Sequence, residues 1–119
     1  MTYPAITDIG GTRIRPENGR LVRQPDGAAL YVDLHSTGKY GDVLVAARAP
    51  IAGGAMLVGA GGAPVPRLEV PGAALLLFRP GGPNVRLSEL TRALTPGEVV
   101  IVTLVFEKIG HLGVVSVVE

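Results

Sequence analysis

Apolar and polar residues alternate with a period of two along much of this chain, and the turns between the alternating stretches are rich in glycine and proline. From Ala28 onward, Leu30, Val32 and Leu34 point one way while Tyr31, Asp33 and His35 point the other, the mark of a half-buried strand. "STGKYGD" turns the chain, and Val43 to Arg48 forms a second strand ending at Pro50. Short apolar runs at Ala55–Val58 and Leu68–Val70 flank a glycine-rich centre, which predicts a small hairpin. Ala73 to Arg79 is a nearly continuous apolar strand. It meets "RPGGPNVRLSEL", a stiff Pro-Gly-Gly-Pro turn that runs into a short alternating segment. That segment sets Asn84 and Arg86 on one face, Val85 and Leu87 on the other. "SELTRAL" predicts one helical turn with Ser88 as its N-cap. Val99–Phe106 is apolar on both faces, as a central strand covered on both sides would be. "EKIGHLG" is the hairpin connection to its partner, Leu112–Val118. On this reading, aspartate at Ile101 or at Leu104 buries an unpaired charge and prevents folding.

The first 27 residues read as an arm with one or two irregular strands, since Thr12–Arg15 and Arg20–Arg23 alternate only weakly between "RPENG" and "QPDG". Residues 28–119 form the remainder of a single β domain. About seven to nine strands with turns every 8–12 residues predict an all-β fold, a cupredoxin-like or immunoglobulin-like Greek-key sandwich or partly open barrel.

Composition narrows this picture. The 119 residues suit one domain, and 47% hydrophobic with only 4% aromatic residues calls for a core of Val, Leu, Ile and Ala. Net charge is +1 with no basic stripe, and the three Tyr and two Phe do not interleave with Arg, so nucleic-acid binding is not expected. Zero Cys removes disulfides, thiolate metal sites and cysteine nucleophiles together. No run approaches the ~18 apolar residues of a membrane span. No charged stretch with an apolar segment follows Met1, so no signal peptide is expected within this sequence.

Candidate chemistry is sparse. His35 lies on the polar face of a strand and His111 in a hairpin turn; neither has a second ligand at metal-binding spacing. No Gly-x-Ser-x-Gly elbow occurs, and "GAGGAP" opens no helix, so neither a hydrolase triad nor a phosphate cradle is indicated. Asp26, Asp33 and Asp42 fall in turn or surface contexts, and Met56 reads as apolar filler. Arg79, Arg86 and Asn84 surround the Gly-Gly turn, where several N–H donors together can hold a small anion.

The order of segments resembles a known family. "GAALYVDLHSTGKYGDVLVAARAPIAGG", then "VPGAALLLFRPGGPNVRLSEL" and "LTPGEVVIVTLVFEKIG", is similar over about Gly27 to Val118 to the periplasmic copper chaperones of the PCu(A)C type. The resemblance implies a cupredoxin-like barrel outside the cytoplasmic membrane (periplasmic, secreted or lipid-anchored), no enzymatic activity, and handling of Cu(I) by two His and two Met. Soft thioethers and imidazoles suit that ion. In this sequence the family's first His position falls near Val58, and its His-x-Met falls on Asn84-Val85-Arg86. A Met on the return strand has no counterpart. The expectation is therefore a copper-chaperone fold without its copper ligands, an accessory or protein-interaction module meeting another copper-handling or envelope protein. Met56, His35 and His111 remain the candidates for a non-standard Cu(I) site.

Overall fold

A computed structural model describes residues 7–9 and 11–119. The described residues form ten β-strands: β1 (Thr7–Ile9), β2 (Thr12–Gln24), β3 (Gly27–Ser36), β4 (Asp42–Arg48), β5 (Ala52–Val58), β6 (Leu68–Val70), β7 (Ala74–Leu77), β8 (Asn84–Leu90), β9 (Val99–Phe106) and β10 (Gly110–Val118). They form one curled sheet in the order β5-β8-β3-β2-β10-β9-β4-β6, with β1 paired to β2 and β7 to β3. Every pair in the sheet is antiparallel except β10 with β2. β5, at one end of the sheet, lies against β4, next to the other end, giving the partly open barrel that the turn spacing predicts. β1 and β6 are three residues long.

Register explains the core. Leu21, Leu30, Val85 and Leu57 are successive partners across β2, β3, β8 and β5, and all four are buried. From the other half come Leu44, Val102, Leu104, Phe106, Leu112 and Val114, with Phe78 as the largest fully enclosed side chain. A core of small aliphatic residues fits a two-residue side-chain period on interdigitating sheet faces.

Three expectations need correction. Val99–Phe106 is not covered on both sides. Val100, Val102, Leu104 and Phe106 point inward, whereas Val99 and Ile101 are 58% and 45% exposed. Opposite them on β10, Val117 and Val115 are exposed as well, so both strands show aliphatic residues to solvent. The two short apolar runs do not pair with each other: β5 pairs with β8, and β6 with β4. Nor does Ser88 cap a helix. Ser88 pairs with Gly54 within β8, and the following loop is clamped instead by Glu98, which accepts hydrogen bonds from Arg92 Nη1 and Nη2 and from the Thr95 amide. The Arg92 bonds come first among the causes that pull the Glu98 carboxyl down to about 2. The weakly alternating residues 12–24, expected as one or two irregular strands, are one long strand whose phase is broken by a bulge between Glu17 and Arg20, where Asn18 adopts a left-handed conformation (φ 55°).

Candidate functional site

The opposite face of the Leu21–Leu57 row is where the candidate site stands. One residue along in register, Val22, Ala29, Arg86 and Met56 are successive partners across the same four strands. Val58 is the partner of Asn84. Because successive side chains on a strand point to opposite faces, Met56, Val58, Asn84 and Arg86 share the face turned away from the main core. The sequence parity of Asn84 and Arg86 is therefore what the structure shows.

The Pro-Gly-Gly turn fixes how that face begins. Arg79 N–H donates to the Pro83 carbonyl and Gly82 N–H to the Arg79 carbonyl, both at 3.0 Å, and Gly81 takes φ 76°, which glycine adopts without strain. A second loop folds over from β5: Gly59 N–H reaches the Ala63 carbonyl, and Gly61 N–H reaches the Gly81 carbonyl at 3.1 Å. The two loops thus hold each other beside the β8 entry. Between them and the sheet is a cleft of about 140 Å³ bordered by Gln24, Tyr31, Gly62, Gly81, Asn84 and Arg86.

The polar groups of this face differ in how far they are committed. Asn84 is 6% exposed; its Nδ2 donates to the Gly82 carbonyl at 3.1 Å, and its Oδ1 accepts nothing. Arg86 is half exposed, 3.7 Å from the well-exposed Asp26 carboxylate. Val58 is buried and Met56 is 41% exposed. Arg79, expected beside Arg86 as an anion-binding group, is already engaged. Its Nη2 lies 2.8 Å from Asp33 Oδ1, and its Nη1 donates to the Phe78 carbonyl. Asn18 donates to the other Asp33 oxygen, and that bond first, with Arg79, holds the Asp33 carboxyl below its ordinary value against the opposing effect of burial.

The two histidines stand elsewhere. His35, on β3 where that strand pairs with β7, lies 3.2 Å from Glu17, which also pairs with Arg15. His111 is not in the turn but on β10, opposite Val105, and meets Arg48 Nη2 at 2.6 Å. Neither is brought beside Met56. Among the described residues, no three of His, Asp and Glu gather closely enough to hold a metal ion.

One aspartate departs from its surface expectation. Asp42 is buried, and its carboxylate accepts the amides of Val43 (2.7 Å), Lys108 (2.9 Å) and Ile109 (3.0 Å). It ties the start of β4 to the β9–β10 turn. "YGDV" in a turn context gave no sign of this, because Lys108 and Ile109 lie more than sixty residues away.

The sequence model of one protein family, described as "Putative lipoprotein LpqE-like", matches residues 9–118. The chain belongs to the LpqE-like family. A search of curated proteins returns no match. Among solved structures, this LpqE-like chain is similar to the apo PCuAC domain from PmoF1, at 27% identity and a TM-score of 0.79 over 96% of this chain and 98% of that one. It is also similar to Cu(I)-bound DR1885 from Deinococcus radiodurans in solution, at 28% identity and a TM-score of 0.73 over 86% of this chain and 75% of that one. The copper-bound PCuAC domain from PmoF2 has the same fold, at 23% identity and a TM-score of 0.80, covering 96% of this chain and 97% of that one. The ordered motif set thus led to the right family of folds, the PCuAC type. No helix among the described residues is long and apolar enough to cross a membrane.

Proposed function

We propose that this LpqE-like chain is an extracytoplasmic PCuAC-fold domain whose strand face lacks the His/Met copper site, and that it acts as a non-catalytic accessory or protein-interaction module in copper handling. Its partner would be another copper-handling or envelope protein, and residues 1–27 and 28–119 would serve as one module. The observation that carries this reading is the register of β5 on β8. It gathers Met56, Val58, Asn84 and Arg86, the positions that the family resemblance relates to ligands together with the nearest thioether, on one face. Their donor set does not fit Cu(I), since the Met56 thioether is the one soft donor among them. Val58 offers no donor atom, the Asn84 amide is a hard and weak one, and the Arg86 guanidinium is a fixed cation without a lone pair to share. The test is a competition titration of the protein against a strong chromogenic Cu(I) chelator. The expected result is no stoichiometric withdrawal of copper from the chelator; tight one-to-one uptake overturns the proposal.

A second reading, a Cu(I) carrier with an improvised site, draws on the exposure of Met56. His35 and His111 would have to leave Glu17 and Arg48 to join it. If uptake is found, Met56→Leu, His35→Ala and His111→Ala tested singly decide the matter, since unchanged uptake in all three removes this reading.

A further inference from the structure

The cleft beside the Pro-Gly-Gly turn holds more unmatched polarity than a filler surface requires. Tyr31 is 7% exposed and borders the cleft. Asn84 adds a carbonyl oxygen that accepts nothing, and the Nδ2 bond to Gly82 fixes which end of the amide is left over. Buried polar groups are nearly always paired, so this oxygen beside a small cleft needs an explanation. At the rim, Arg86 has only the distant, solvent-exposed Asp26 as a counter-charge. Gly62 and Gly81, both at positive φ, form the loop side of the cleft without any side chain to fill it.

These groups specify a ligand chemistry. The guanidinium and the phenol hydroxyl are donors on residues that border one cleft, and Arg is suited to grip a planar carboxylate. The Asn84 Oδ1 is an acceptor and calls for an N–H close to that carboxylate. A volume of about 140 Å³ corresponds to roughly four or five waters, the size of one small residue with its main-chain atoms. Glycine walls favour main chain over a bulky side chain.

We propose that this cleft binds a carboxylate bearing an N–H on its α-carbon, with Arg86 and Tyr31 donating to the carboxylate and Asn84 Oδ1 accepting from the N–H. The same chemistry is presented by the free C-terminal residue of a peptide and by a free amino acid. The inference rests on the reading that copper ligands do not occupy this face.

The test is an amide-resolved NMR titration of the full chain, freed of metal by a chelator, with N-acetylglycine, glycine and acetate. Saturable shifts centred on Gly62, Gly81 and Arg86, with N-acetylglycine or glycine at least several-fold tighter than acetate, are the expected result. N-acetylglycine ahead of glycine identifies a peptide terminus as the source, and the reverse order identifies a free amino acid. Arg86→Gln should weaken the preferred ligand at least tenfold, and Tyr31→Phe several-fold, with the melting temperature of each variant confirming the fold. Binding of acetate equal to both others (an adventitious anion only), no saturable shift at all, or Arg86→Gln binding as the parent does would overturn the assignment. Copper uptake in the chelator competition, with these NMR results unchanged, would instead overturn the metal-free reading alone.

Discussion

Asp42 shows how much one side chain can fix. Its carboxylate is buried and accepts two amides from the β9–β10 turn, those of Lys108 and Ile109, besides that of Val43. An ionised acceptor makes such bonds stronger than a neutral one does. Asp42→Ala should therefore leave amides unpaired at that turn, at a cost of about 2–4 kcal/mol. Urea denaturation would show this as a lower midpoint, and a midpoint unchanged from the parent would refute the role. At the same scale, the common face of Asn84 and Arg86 was legible in the sequence, because strand parity needs only the neighbouring residues. The duty of Asp42 was not, since it depends on a contact across sixty-six residues. Likewise Tyr31 was placed correctly on the outward side of β3, but the loops that enclose it come from residues 59–63 and 79–83.

At the scale of elements, β9 and β10 carry the clearest lesson. Their outward positions are Val99, Ile101, Val115 and Val117, so a two-residue period is present but hidden by apolar residues on both faces. Continuous hydrophobicity was read as double burial, and the structure shows single burial. It follows that Leu104→Asp places a charge at a fully buried position and should abolish folding, whereas Ile101→Asp should fold and melt within a few degrees of the parent. Circular dichroism melts of the two variants check this, and a folded Leu104→Asp protein would refute the strand placement. Two other misreadings share a physical cause. Ser88–Leu90 has acceptable helix chemistry, but pairing with β5 extends it as strand. The runs at Ala55–Val58 and Leu68–Val70 are close enough in sequence to pair, yet each finds better partners in β8 and β4. Local pattern proposes an element; tertiary pairing chooses its neighbour.

For the whole molecule, the all-β architecture and its partly open barrel were readable from turn spacing, while the joining of its two halves was not. It depends on β2 and β10, parallel strands from opposite ends of the chain, paired from Gly19–Ser116 to Leu21–Val118. At Gly19 a Cβ would collide with the Val115 carbonyl oxygen. Gly19 lies within the β2 bulge between Glu17 and Arg20. Gly19→Ala should force this pair apart and lower the melting temperature by several degrees or more, with amide exchange accelerated first in Ser116–Val118. Exchange and melting equal to the parent would show that the close approach is not needed to join the two halves.

The register of β5 on β8 has a consequence for descent. Backbone hydrogen bonds carry that pairing, and the side chains on its outer face stand clear of them. Each of these positions can exchange one chemistry for another while the ladder that aims it stays intact. A lineage can therefore alter what this surface recognises one codon at a time, without passing through an ancestor that must fold anew. Binding preference and architecture in such a protein are inherited separately, and the first can diverge while the second persists.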